Sequence, residues 1–359
     1  MSGRTLTAHR FEEMTKQMVG SQHSRRRLLR KLGGGLAGAA LTGAGPSMAG
    51  SQEATSAARV TGNGDVAGLV DIGGRLLYLE CRGAGGPTVV LEAGYRSPVD
   101  VWTTDLVSPE TPRTMVFAGV AANTRTCVYE RPGVAAVIDG VFMPSRSDPA
   151  PVPRTAADAV AALHTLLDVA DVPGPYVLVG HSFGGLIVRL YASTYPNDVA
   201  GLVLVDALSE YVRTELTPEE WAAYAAVVSA VPPELTAYAS LETMDMDASF
   251  DQMTEASSRH PLTGIPLTVI SAGLPFGIPD ADLGFSSNRL QDAWSAAQDK
   301  LGSLIPDTRH LVATDSAHYV QLDQPNLVIE AIRQVVNAVR DPDTRTPDRA
   351  TPGSSTWPP

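Results

Sequence analysis

The stretch PYVLVGHSFGG, Pro175–Gly185, runs as a hydrophobic segment and stops abruptly on glycine, histidine and serine. Tyr176–Val179 reads as a strand buried on both faces, because its apolar residues follow one another without polar alternation. The following FGGLIVRLYASTYP reads as a helix. A serine on so sharp a strand-to-helix turn is forced into strained backbone, and Gly180 and Gly184, two positions to either side, relieve the crowding. The Ser182 hydroxyl then stands clear of the sheet at the positive end of a helix dipole, where a nucleophile belongs. The bare pattern G-x-S-x-G is weak, and an idle serine in a glycine-rich turn is the bland alternative. The strand before it and the helix after it carry the reading.

Outward from this turn, short apolar runs alternate with helical patterns. Leu76–Cys81, Thr88–Glu92, Arg125–Tyr129, Tyr176–Val179, Gly201–Val205, Leu267–Ser271 and His310–Ala313 are the strand candidates. Ala156–Leu167 and Leu327–Val339 space their apolar residues for a helix. Such alternation predicts an α/β fold, a mostly parallel central sheet flanked by helices. The segment 207–262 breaks the rhythm: it holds no convincing strand, and Thr217 with Glu220 three positions on is a capping box. It reads as a helical cap over the sheet. Its ten acids against two arginines are a solvated outer face.

The chain has 359 residues, 44% hydrophobic and 18% charged, enough for a large core. Its ends read differently from its middle. SRRRLLR at 24–30, a glycine- and alanine-rich apolar stretch, and the small residues Ser47 and Ala49 resemble a twin-arginine export signal over 1–49, cleaved after Ala49. A retained anchor is the alternative, although Leu32–Ala44 is short for a span, which needs about 20 apolar residues. Residues 50–65 read as a linker, 66–340 as one catalytic domain, and the Pro/Ser/Thr-rich 341–359 as a disordered tail. The signal carries a net +6, so its removal takes the charge from −12 to −18. So acidic a chain is a poor partner for nucleic acid or anionic membranes, and no stable membrane insertion is expected once the signal is gone. The sequence does not fix an oligomeric state.

A serine needs a base. Beyond the signal five histidines remain: His164, His181, His260, His310 and His318. Of these only His318, in ATDSAHYVQLDQP, falls in a loop between the last strand and the closing helix.

GHSFGG at 180–185, SAHYVQLDQP at 316–325 and YERPG at 129–133 resemble the α/β-hydrolase superfamily, over essentially all of 70–340. The resemblance implies Ser182 as nucleophile, His318 as general base and an orienting acid. It also implies an oxyanion hole from the backbone N–H groups of Phe183 and of Tyr95, the latter at the end of TVVLEAGY, in the loop that follows the strand. Glu130 stands where the family commonly has aspartate, and only local hydrogen bonding is expected to change. In many members the acid follows the seventh strand, which here runs into SAGLPFGIP with no carboxylate in place. Asp206, at the end of the sixth strand in the family's count, is the preferred acid, as in members such as the haloalkane dehalogenases. Asp280 and Asp282 remain alternatives, as does an Asp206 that merely caps the start of the helical segment. The family's strand order also sets Cys81 and Cys127 side by side on antiparallel strands, where an oxidising compartment would join them as a disulfide. Two buried thiols are the alternative.

The expected function is that of a secreted serine hydrolase acting on a small-molecule carboxylic ester, at the cell surface, in the periplasm or outside the cell. The serine argues against the aspartate-nucleophile epoxide hydrolases and dehalogenases. Lactonase, thioesterase, carbon–carbon hydrolase and cofactor-free haloperoxidase chemistries use the same triad and stay open, as does a non-catalytic binding protein of the fold. No metal or organic cofactor is expected, since the sequence has no HExxH, no CxxC and no GxGxxG after a strand. Trp221, Tyr224, Tyr238, Met244, Met246 and Met253 of the cap either line an apolar pocket or, as their helical spacing favours, pack as core.

Overall fold

The computed structural model describes residues 59–344, apart from 61–63 and 139–140. The export signal read over 1–49 and the tail beyond 344 lie outside the described residues. Nine strands form one sheet: β1 (Arg59–Val60), β2 (Val66–Asp71), β3 (Leu76–Arg82), β4 (Thr88–Glu92), β5 (Thr126–Tyr129), β8 (Tyr176–His181), β9 (Val199–Val205), β10 (Leu267–Ala272) and β11 (Arg309–Ala313). Their spatial order is β1-β2-β3-β5-β4-β8-β9-β10-β11. From β5 to β11 every pairing is parallel, whereas β3 is antiparallel to both β2 and β5. A separate hairpin joins β6 (Ala135–Ile138) to β7 (Val141–Pro144).

The parallel strands lie between two layers of helix, which is why they read as continuous apolar runs. Val177 and Val179 of β8 face one layer while Leu178 faces the other, the two-residue period of a strand dividing one run between two cores. On the first side lie α1 (Val116–Ala121) and α8 (Pro325–Arg340), the latter burying Val328, Ala331, Ile332, Val335 and Val336. That spacing, i, i+3, i+4, i+7, i+8, is a single helical stripe. On the second side lie α2 (Ala156–Val169), α3 (Phe183–Thr194) and α7 (Ser287–Gly302).

Between β9 and β10 the chain leaves the sheet for α4 (Glu210–Glu215), α5 (Pro218–Ser229) and α6 (Met246–Arg259). Thr217 and Glu220 form the reciprocal capping box at the start of α5. Trp221, Tyr224, Met244, Met246 and Met253 are buried, and the Trp221 ring lies 5.1 Å from Phe250. These side chains pack as core. Two findings adjust the sequence boundaries: Arg59–Val60, inside the stretch assigned to a linker, pairs with the edge of the sheet, and Pro342–Thr344 forms a 3-10 turn.

Cys81 and Cys127 are direct partners in the antiparallel β3–β5 register, both fully buried, and are joined by a disulfide. The loop it closes spans 46 positions, for which chain entropy gives about 4 kcal/mol at most. Thiol titration of denatured, unreduced protein is therefore expected to find no reactive thiol, and a Cys81→Ser/Cys127→Ser double variant to melt at a lower temperature. Two titratable thiols would show that the bond does not form.

Candidate active site

The carboxyl ends of β4, β8, β9 and β11 bring the candidate residues together, as expected where ligands bind open parallel sheets. Ser182 sits between β8 and α3 at φ 53° and ψ −124°. A non-glycine residue in that region carries strain of order 1–3 kcal/mol. Its carbonyl accepts from Gly185 N at 2.8 Å and Leu208 N at 2.9 Å, and its own N–H donates to Val205 O at 3.2 Å. The flanking glycines are required by close approach. A Cβ on Gly180 would meet Gly184 O at 2.4 Å, and one on Gly184 would lie 2.6 Å from the carbonyl oxygens of both Glu92 and Ala93.

Asp206 follows β9 with φ 41° and is fully buried. Its Oδ2 lies 2.6 Å from Nδ1 of His318. Its Oδ1 accepts from Ala272 N at 3.0 Å and from the Trp294 indole Nε1 at 3.1 Å. With Nδ1–H engaged by the carboxylate, His318 keeps Nε2 as a proton acceptor. Phe276, Trp294 and Tyr319 surround the His318 ring at centroid distances of 5.0, 5.6 and 5.5 Å. Asp280 and Asp282 are exposed, and Asp280 is occupied with Ser287 N at 2.7 Å. His310 is bound to Ser271 at 2.6 Å and His164 lies 3.4 Å from Asp198, so neither serves this site.

The loop after β4 lies against the serine. A Cβ on Gly94 would come to 3.1 Å from Ser182 Cβ, and the Tyr95 ring sits 6.3 Å from that of Phe183. Among the described residues the backbone N–H groups of Phe183 and Tyr95 donate to no protein acceptor. Glu130 takes up Arg146, whose backbone N and Nη2 donate to it at 2.7 and 2.6 Å. Among the described residues no group of three or more His, Cys, Asp or Glu is arranged to hold a metal ion.

Three participants escaped the sequence reading. Trp294 belongs to the buried stripe of α7 and reads there as core; a buried indole needs an acceptor, but its identity is a tertiary fact. Arg131, in YERPG, is buried and holds the loop after β4. His181 reads as a variable position of the elbow, yet its Nε2 lies 2.9 Å from the His318 carbonyl.

Comparison with known proteins agrees with this architecture. A family model described as alpha/beta hydrolase fold matches residues 143–238. The YqjL protein of Bacillus subtilis is 26% identical over 71% of this chain and 85% of its own length. A pimeloyl-[acyl-carrier protein] methyl ester esterase of Chromobacterium violaceum is 33% identical over 45% of this chain; the match spans 58% of that esterase. The solved structure of the haloalkane dehalogenase DatA from Agrobacterium tumefaciens superposes with a TM-score of 0.52 at 15% identity, covering 77% of this chain and 98% of that one. The chain has the α/β-hydrolase fold.

His181 also has an electrostatic consequence. Its Nε2–H donates to the His318 carbonyl, its Nδ1 is buried without a hydrogen-bond partner among the described residues, and burial followed by the nearby His318 holds its pKa well below 6.5, so the folded ring is neutral. The unfolded chain takes up a proton near pH 6.5 while the folded one resists it, so this residue contributes stability that is present above 6.5 and lost as pH falls below it. The ceiling is about 1.4 kcal/mol per pH unit. Denaturant unfolding between pH 7 and 5 is expected to show a shallower decline in His181→Gln than in the wild type. Equal slopes would mean that His181 takes its proton in the fold.

Proposed function

We propose that this α/β-hydrolase cleaves a small-molecule carboxylic ester, with Ser182 as nucleophile, His318 as general base and Asp206 as the orienting acid. The observation that carries the reading is the 2.6 Å contact of His318 Nδ1 with Asp206, beside a serine held in strained backbone at a helix N-terminus. Ser182 attacks the acyl carbon as His318 Nε2 removes its proton. Asp206 keeps the imidazole in the required tautomer and stabilises the imidazolium. The N–H groups of Phe183 and Tyr95 bind the oxyanion, where losing one donor typically costs about 3 kcal/mol. His318 then protonates the leaving alcohol, and water releases the acid from the acyl-enzyme by the same steps. The similarity to a methyl ester esterase supports an ester as substrate.

The same reading includes export. The SRRRLLR motif and the Cys81–Cys127 bond, which suits an oxidising compartment, support it.

Wild-type protein is expected to hydrolyse short acyl esters and to react with a fluorophosphonate probe at Ser182; a binding protein without an activated serine would do neither. Ser182→Ala abolishes both activities, and His318→Ala nearly so. Asp206→Asn lowers turnover by about 10³–10⁴ with the fold intact. An active Asp206→Asn alongside an inactive Asp280→Asn or Asp282→Asn would move the acid to the loop after β10.

For export, cell fractionation of the full chain decides. Replacing Arg25 and Arg26 together by lysine is expected to leave the protein inside the cell, and unchanged export in that variant would rule out the twin-arginine route.

A further inference from the structure

Arg131 leaves β5 and turns under the loop that follows β4. All five of its guanidinium N–H bonds are used. Nε donates to Glu242 Oε1 at 2.7 Å; Nη1 donates to Glu92 and to the Ala93 carbonyl at 2.8 Å; Nη2 donates to the Gly94 carbonyl at 2.6 Å and to Glu242 Oε2 at 3.0 Å. Two of these acceptors are successive carbonyls of the loop. The second belongs to the Gly94–Tyr95 peptide, whose nitrogen is the oxyanion donor of the proposed mechanism.

That peptide is trans, so its C=O and N–H point in opposite directions. Fixing the Gly94 carbonyl on Arg131 therefore aims the Tyr95 N–H away from the guanidinium. On its Gly94 side the same stretch lies against Ser182. A cationic donor on the carbonyl also polarises the peptide and strengthens its N–H as a donor.

Glu242 connects this arrangement to the helical segment. It lies between α5 and α6, is fully buried, and takes the next backbone N–H, that of Arg96, at 2.7 Å. The Arg96 Nε in turn donates to the Glu242 carbonyl at 3.0 Å, and Glu242 N donates to Gly133 O at 2.8 Å. The N–H groups on the loop are thus divided: that of Arg96 is committed to the cap, and that of Tyr95 is left for substrate.

We propose that Arg131 is a positioning residue for the oxyanion donor at Tyr95, and that Glu242 makes this positioning depend on the seating of the cap. The inference rests on the ester-hydrolase reading, and its physical half is testable apart from it. Arg131→Lys keeps the charge but cannot hold two carbonyls and two carboxylates at once. Glu242→Gln keeps the shape and removes the charge that anchors the guanidinium.

Gly94–Tyr95 is the one Gly–Tyr pair in the chain. Labelling glycine carbonyls with ¹³C and tyrosine amides with ¹⁵N therefore isolates this peptide as a single amide resonance. Both variants are expected to shift or broaden it. They are further expected to lower kcat per fluorophosphonate-titrated site by about ten-fold or more with KM little changed, short of the 10²–10³ that follows loss of a donor outright. Affinity for a boronic acid, which forms a tetrahedral anion on Ser182, should fall by the same factor. A merely structural role would lower the melting temperature while leaving kcat per titrated site and boronate affinity alone, and would overturn the proposal, as would an unmoved resonance. A moved resonance with unchanged kcat would remove Tyr95 from the oxyanion hole. Wild-type protein that neither turns over esters nor reacts with the probe would instead refute the hydrolase reading, while the resonance would still report whether Arg131 sets the peptide.

Discussion

The closeness with which α3 passes the ends of β4 and β8 governs the site. Gly184 brings the helix so near Glu92 and Ala93 that a single methyl group would collide with two carbonyl oxygens. Only by this approach can the chain reverse from strand to helix in one residue and leave Ser182 at the apex. The strain at Ser182 persists because both flanking elements are held firmly. α3 is buried almost from end to end, its Arg189 included, which pairs with Glu210 of the neighbouring α4. A residue in that backbone region is stable only where its surroundings leave no alternative.

The same closeness explains why the remaining groups converge. β4, β8 and β9 are adjacent and parallel, so their carboxyl ends open onto one crevice and residues from distant parts of the sequence meet there. The next strand, β10, ends at Ala272 without a carboxylate, and its Ala272 N–H donates to Asp206 instead. Neighbouring strands lie only about 5 Å apart, so an acid at the end of β9 can serve a histidine that follows β11. Trp294 supplies the second contact on the same oxygen. With Oδ1 held by two N–H donors, Oδ2 is left to His318.

Legibility followed the range of the interactions. All seven strand candidates have counterparts in the sheet: burial on both faces leaves uninterrupted apolar runs in β4, β5, β8, β9 and β10, whereas β3 alternates and the edge strand β11 stays partly exposed. β2 was not visible: Gly68 interrupts it and every residue but Val70 is at least partly exposed, so neither period stands out. The short β6–β7 hairpin was missed as well. Ser182 announces itself through local strain, since glycines at fixed offsets are a local requirement. His318 was reached by its place in the chain order. Trp294, His181 and Arg131 act through partners 88, 137 and 111 positions away, and no local pattern records such a pairing.

The buried ions beneath the loop are the arrangement least suited to stability alone. Glu92, Glu242, Arg131 and Arg154 are nearly inaccessible to water, and removing such charges from solvent costs several kcal/mol each. Pairing balances two carboxylates against two guanidiniums. Burial pushes the Glu92 carboxyl up against the pull of Arg131, whereas for Glu242 the opposing burial is outweighed by Arg131 and Arg154, which hold it below its usual range. Well-packed apolar side chains could fill the same volume at comparable stability. They could not grip two successive carbonyls, nor carry a contact from the cap to the peptide beside the nucleophile. The cluster is therefore understood by what it fixes: the direction of one peptide N–H, in a loop whose glycine lets the backbone lie against the nucleophile.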